Sequence, residues 1–209
     1  MFERFEEAEL DLRVEATLAL DAGVAPPPTL VAFGANEPVA VVRLRPIAPD
    51  ELLQALVEVL SLLLPLDARR LALALPGQVR EVAEPSATDE EVGPGPLLVM
   101  VTADGAATTP TTLTARVLPL THDGTCWQWW EDGEVELDAA EWDISRALGV
   151  LLDAPTDELG PGVHERREVQ AQLARCLLLG HEVTLAPDAA DLLEPDRDEV
   201  AGLRPAPDG

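Results

Sequence analysis

Near the start of the chain, apolar residues occupy every second position, namely Leu10, Leu12, Val14, Ala16, Leu18 and Leu20. Such alternation is typical of a half-buried strand. However, residues 4–22 are rich in Glu, Ala, Leu and Arg, which favour a helix. The glycine at position 23 and the prolines at 26–28 form a typical helix end. We therefore predict a helix over residues 4–22, with a strand as the alternative.

The next segments predict a β-hairpin followed by a largely buried helix. Two short β-rich runs, 29–33 and 39–44, flank turn residues at 34–37. Asp50 then precedes a Leu-rich run over 51–64, whose polar residues are spaced by three, four and three, at Glu51, Gln54, Glu58 and Ser61. This spacing places the polar residues on one narrow stripe of a helix, so the other sides are expected to be buried.

The middle of the chain contains several predicted strands. Alternating leucines predict a strand over 70–82, and a run of apolar residues predicts another over 97–102. Between them, residues 84–96 contain acids, Pro and Gly without periodicity, as is typical of an exposed loop. Two further strands, 113–120 and 125–130, flank Asp123-Gly124, which is a strong hairpin pattern. A second turn at Asp132-Gly133 predicts that the chain continues as a meander.

Two helices are predicted after the strands. Asp138 and Glu141 resemble a capping box and predict a helix that extends to about residue 152. A second helix is predicted over 165–179, and its apolar face is marked by Val169, Leu173, Cys176, Leu177 and Gly180. The whole pattern predicts an α+β fold, in which a mostly antiparallel sheet packs with a buried central helix and with C-terminal helices on one side. We expect a single domain over 1–185 and an acidic, Pro-rich tail over 186–209.

The charge of the chain limits its partners. The 209 residues include 39 Asp and Glu against 14 basic residues, all of them Arg, for a net charge of -25. A surface this negative repels nucleic acid and anionic membranes, and no basic stripe offsets it. A basic protein partner is compatible with this charge, and so is a simple role in solubility through self-repulsion. Both a salt-rich source and a GC-rich genome explain the bias toward acids and Arg.

The sequence predicts a soluble, cytoplasmic protein. The N-terminus is charged from its third residue, unlike a signal peptide, and no apolar run approaches the roughly 18 residues of a membrane span. The two cysteines, Cys126 and Cys176, are therefore expected to be free thiols in a reducing compartment.

Motifs for catalysis, metals and cofactors are absent from the sequence. The histidines His122, His164 and His181 each precede an acid, and adjacent residues diverge in both helices and strands, so no metal site is predicted. No phosphate-binding loop or nucleophile motif occurs, so we predict no cofactor and assign no catalytic residue. The one alternative is a Cys126–His122 pair facing across the turn at Asp123.

A cluster of tryptophans is the most unusual local feature. Three of the four tryptophans lie close together, at Trp127, Trp129 and Trp130. On a strand, Trp127 and Trp129 share one face and Trp130 lies on the other. They are candidate anchors for a binding partner, since Trp is enriched at binding hot spots. The alternative is that they fill a core that is short of Phe and Tyr.

These observations favour a non-enzymatic protein-interaction or adaptor module, with Trp127, Trp129 and Trp130 as candidate binding residues. The alternative function is an enzyme whose site is assembled around His122, Asp123 and Cys126.

Overall fold

A computed structural model of the chain describes residues 4–34, 37–78, 95–105, 111–129, 134–139, 142–153, 163–191 and 193. The helices in these ranges are α1 (Phe5–Asp21), α2 (Leu52–Leu63), α3 (Asp143–Leu152), α4 (Val163–Leu178) and α5 (Pro187–Asp191). The strands are β1 (Thr29–Phe33), β2 (Pro38–Arg43), β3 (Arg70–Gln78), β4 (Pro96–Asp104), β5 (Thr112–His122), β6 (Trp127–Trp129), β7 (Val135–Leu137) and β8 (Glu182–Leu185).

The strands form one antiparallel sheet. Its order is β6-β5-β4-β3-β1-β2-β8, and β7 also pairs with β5. The predicted α+β class with a mostly antiparallel sheet is therefore confirmed. The predicted hairpin of the first two strands is also present, with Thr29 opposite Arg43.

The sheet has helices on both faces, and β3 shows how the sequence produces this. Its leucines, at 71, 73 and 75, belong to a core shared with α2, α3 and α4. The alanines between them, Ala72 and Ala74, belong to a second core beneath α1. Because successive side chains of a strand point to opposite faces, one alternating run supplies both cores. The C-terminal helices α3 and α4 thus lie with α2 on one side, and α1 lies on the other.

The alternating segment near the N-terminus is a helix, as its composition predicted. It ends in a Schellman motif at Gly23, whose φ of 73° is in the left-handed region that favours glycine. The N–H of Gly23 donates to the carbonyl of Leu20, and the N–H of Val24 donates to that of Ala19. These bonds satisfy carbonyls that the helix leaves without partners.

The exposed face of α2 is rotated relative to the polar stripe that the sequence predicts. Glu58, predicted on the polar stripe, has a side chain only 8% exposed, whereas Leu53 and Val57 are about half exposed. The cause is a histidine from a distant segment, His181, which lies beside the Glu58 carboxylate. A hydrogen-bonding partner such as this histidine lowers the free-energy cost of burying a carboxylate.

The predicted meander is wrong in its pairing, since β7 pairs with β5 and not with β6. Strands β6 and β7 pair with different parts of β5, β6 with residues 120–122 and β7 with residues 115–117. The predicted turn at Asp132-Gly133 lies outside the described residues. The predicted start of α3 is also displaced. The helix begins at Asp143 after Trp142, and no side chain caps it.

Strand β8 and helix α5 lie on either side of the tail boundary predicted at residue 185. Strand β8, which the sequence pattern did not reveal, pairs with β2 and forms an edge of the sheet. Helix α5 follows at once and buries Ala189 against the core. The tail residues 194–209 lie outside the described residues.

Candidate functional site

The outward side of α1 exposes a row of large apolar side chains. Leu10, Val14 and Leu18 are 60%, 44% and 62% exposed, and we call them the outer stripe. Each is two residues from a residue of the buried row formed by Ala8, Leu12 and Ala16. A helix turns about 100° per residue, so alternate residues fall on nearly opposite sides. An apolar residue at every second position therefore produces two apolar faces, and the sheet covers only one of them.

Acidic residues border the outer stripe. Helix α1 contains six acids and a single arginine, Arg13. On a helical projection, Glu7, Asp11 and Glu15 follow one border of the stripe. Glu7 is 3.8 Å from Arg4, and Glu15 is 3.7 Å from Arg43 on the neighbouring strand. Both pairs are loose and exposed, so they screen the charge of the border only weakly.

A cavity of about 340 Å³ opens beside the C-terminal half of α1, with Leu18 of the outer stripe in its wall. Its lining is mainly apolar, because small side chains such as Ala16, Ala19 and Ala74 leave the space between helix and sheet unfilled. Glu15 and Arg43 form its polar border. The cavity is large enough for an apolar side chain of a ligand.

Two arginines and two glutamates join α1 to the sheet. Glu9 of α1 is bonded to both Arg13 and Arg116, and Glu134 is 2.9 Å from Arg116 and 3.6 Å from Arg13. The four charges alternate in sign around a closed ring and are only partly exposed. The guanidinium of Arg13 also lies over the ring of Trp129, 5.6 Å from its centre. The network therefore fixes the flank of α1 that faces β6.

Two of the predicted binding residues lie on this flank. Trp127 and Trp129 are half-buried and pack against the core beneath α1. The backbone N–H of Trp127 donates to the carboxylate of Asp21, at the end of α1, over 2.8 Å. Both indoles thus adjoin α1 and retain some exposed surface, so their role as binding anchors stays a prediction. The third predicted residue, Trp130, lies outside the described residues.

Hydrogen bonds and a neighbouring charge shift the ionisation of the alternative catalytic group at His122, Asp123 and Cys126. Hydrogen bonds from the N–H groups of Cys126 and Thr125 lower the pKa of Asp123. The resulting negative charge of Asp123 raises the pKa of the Cys126 thiol above its ordinary value. His122 accepts a hydrogen bond from the Gly124 N–H at Nδ1 and packs edge-on against Trp127. The turn thus favours the thiol over the reactive thiolate.

The structure brings together a second group that sequence reasoning did not identify. Helix α4 ends in a Schellman motif at Gly180, which directs His181 into the interior. Nδ1 of His181 accepts the N–H of Arg45, so the ring proton is on Nε2, 3.4 Å from the Glu58 carboxylate. The thiol of Cys176 donates to the Glu58 carbonyl over 3.7 Å. The ring of His181 and the thiol of Cys176 are both buried, so this group joins α2, α4 and the segment after β2 and presents no open surface to a substrate.

Burial and bonding shift the ionisation of this second group. Burial alone would raise the pKa of Glu58, but hydrogen bonds from Gln54 and His181, together with the charges of His181 and Arg45, outweigh it and lower that pKa. Burial raises the pKa of the Cys176 thiol. The carboxylate is therefore held in its charged form, as a structural acceptor.

Within the residues that the structure describes, no group of three or more His, Cys, Asp or Glu side chains is arranged to hold a metal ion. Among the described helices, none combines the length and the apolar character needed to cross a membrane. A scan of family models matches no family, and searches of curated proteins and of solved structures return no significant match.

Proposed function

We propose that the protein is a non-enzymatic interaction module that binds a protein partner through the outer stripe of α1 and the adjoining strand β6. The observation that supports this is the row formed by Leu10, Val14 and Leu18, which no described element covers. Exposed apolar rows of this kind are a feature of interaction sites. Trp127 and Trp129, on the flank of α1, supply aromatic surface of the type found at hot spots.

Charge supports a protein partner over other classes. With a net charge of -25, the molecule repels the phosphates of nucleic acid and of anionic membranes. A cytoplasmic location is part of the proposal, because Cys126 and Cys176 are both free thiols, as expected in a reducing compartment.

The alternative, an enzyme centred on His122, Asp123 and Cys126, has weaker support. Its thiol is made less acidic by its own neighbour Asp123, which is the opposite of what a nucleophilic cysteine requires.

The test is affinity capture from the source cells with two matched variants. Leu10→Gln/Leu18→Gln removes the ends of the outer stripe without changing the charge, and Gln is well tolerated in helices. Leu178→Gln makes the same substitution at the end of α4, on the other side of the sheet, where the side chain is 88% exposed. The proposal predicts a stoichiometric partner that binds wild type and Leu178→Gln, and that is lost from the stripe variant. A partner retained by the stripe variant, or none for any of the three proteins, contradicts it.

A further inference from the structure

We infer that the partner presents a basic amphipathic helix, which lies along the outer stripe of α1 and inserts one apolar side chain into the cavity beside Leu18. This inference rests on the function proposed above and specifies the chemistry of the partner.

The shape of the surface favours a helix. Leu10, Val14 and Leu18 form a single row about 12 Å long, which is slightly more than two helical turns. A narrow, straight row of side chains four residues apart fits the ridge of a second helix, whose apolar residues have the same spacing. The cavity lies at one end of this row, with Leu18 in its wall, so a helix that covers the row reaches the cavity.

The charge of the surface favours basic flanks on that helix. Glu7, Asp11 and Glu15 border the stripe, and α1 as a whole has six acids against one arginine. Lys or Arg beside the apolar residues of the partner would therefore face three carboxylates, two of which have only loose, exposed arginine partners, Arg4 and Arg43. The same charges disfavour a second copy of this chain, because two such helices would bring like charges together.

Like charges also disfavour two segments of this chain outside the described residues as occupants of the stripe. Residues 79–94 contain five acids and one arginine, and residues 194–209 contain five acids and two arginines. Either segment would add negative charge to a surface that is already negative. A separate, basic partner is the complementary occupant.

The cavity supplies a place for an anchor. It holds about 340 Å³ between α1 and the sheet, and the alanines in its wall leave it unfilled. A Leu or Phe from the partner would bury its whole side chain there, which is how a few residues dominate the affinity of an interface. The Ala19→Leu substitution would fill the same space from within the protein.

Titration calorimetry with two synthetic peptides tests the inference. The first is a helical peptide with Leu and Phe along one face and Lys on both flanks, and the second replaces every Lys by Glu. The lysine peptide is expected to bind at low salt and to weaken as salt is added, and the glutamate peptide is expected not to bind. Equal binding of the two peptides, or no binding of the lysine peptide, overturns the inference.

Three variants locate the binding. Glu7→Gln/Asp11→Asn should weaken the binding of the lysine peptide about fivefold, since each exposed ion pair contributes modestly to the affinity. Glu136→Gln/Glu168→Gln removes the same number of charges from exposed positions elsewhere and should leave the affinity unchanged. Ala19→Leu should fill the cavity and so prevent the Phe of the lysine peptide from entering it, which weakens binding. The melting temperature of this variant should stay the same or rise. Equal weakening by both charge pairs, or full binding by Ala19→Leu, contradicts the inferred mode.

Failure of the inference is distinguishable from failure of the proposed function. A native partner that depends on Leu10 and Leu18 but contacts them through an acidic, neutral or non-helical segment overturns the basic helix and leaves the interaction module standing. Self-association through the outer stripe also overturns the basic helix. Absence of any partner that depends on the stripe overturns both.

Discussion

Oε2 of Glu58 lies 3.4 Å from Nε2 of His181, although 123 residues separate the two in the chain. The turn at Gly180 brings the histidine back from the end of α4 to the middle of α2. Both side chains are almost fully buried, so the contact is part of the core. It therefore links the ionisation of one carboxylate to the packing of two helices.

Replacement of Glu58 by Gln is expected to lower the free energy of unfolding at pH 7 by about 1–3 kcal/mol, through loss of a buried charge-assisted hydrogen bond. Because folding lowers the pKa of Glu58, its ionised form stabilises the fold above the ordinary carboxyl pKa. That contribution is lost as the pH falls through the lowered pKa. Urea unfolding of both proteins between pH 3 and 7 should show the difference shrinking in acid.

Glu168→Gln is the control for this pH series, because Glu168 lies on the exposed side of α4. It should change the stability little at any pH. A difference between wild type and Glu58→Gln that is constant from pH 3 to 7 contradicts the role given to the carboxylate.

Replacement of Gly180 by Ala is expected to destabilise the fold by about 1–2 kcal/mol, because an L-residue is strained in the left-handed region. Space is not the obstacle, since the added Cβ would lie 3.6 Å from Cβ of Arg45, an ordinary contact. Gly23 has a similar φ, and a Cβ added there would have no atom within 4 Å. Thermal unfolding of Gly23→Ala therefore measures the backbone strain alone. If Gly180→Ala also displaces His181, it will destabilise the fold more than Gly23→Ala does. A smaller destabilisation would contradict the structural importance of the turn at Gly180.

Alkylation rates test the ionisation of Cys126. Iodoacetamide at pH 8 should modify Cys126 more slowly than the cysteine of an unstructured peptide, because Asp123 raises the pKa of the thiol. Asp123→Asn keeps an oxygen to accept the turn hydrogen bonds and removes the charge, so the reaction should accelerate. Cys176 should react slowest, since it is buried. Faster modification of Cys126 than of the peptide would favour the enzymatic alternative.

The charged ring beneath α1 is expected to stabilise the fold cooperatively. A double-mutant cycle of Glu9→Gln and Arg116→Met should give a coupling energy of about 1–2 kcal/mol in urea unfolding. A control cycle at the exposed pair of Arg4 and Glu7 should give about 0.3 kcal/mol or less. Equal coupling in the two cycles would contradict a stabilising role for the ring.

The sequence predicted most of the fold through local patterns. Alternating leucines identified β3, and the Asp123-Gly124 turn identified the β5–β6 hairpin. Composition and Gly23 correctly outweighed the strand-like alternation in α1. The four residues of β8 were missed, because so short a segment has no periodicity and depends on its pairing with β2.

The candidate site was harder to predict than the fold. Glu58 belongs to a regular polar stripe, and only a histidine 123 residues away turns it inward. The apolar residues of the outer stripe were visible in the sequence as an alternation, but whether they are exposed depends on whether the segment is a helix or a strand. In a strand the alternate apolar residues would share one face, whereas in a helix they divide between two.

The most direct test of the central claim is site-specific photo-cross-linking in the source cells, with a photoreactive residue at position 14 and, as the control, at position 178. Both side chains are exposed, and they lie on opposite sides of the sheet. The account predicts one defined adduct from position 14, mapped to a basic helical segment of a single protein, and no defined adduct from position 178. No adduct from position 14, or the same protein captured from position 178 instead, would contradict the assignment of α1 as the interaction surface.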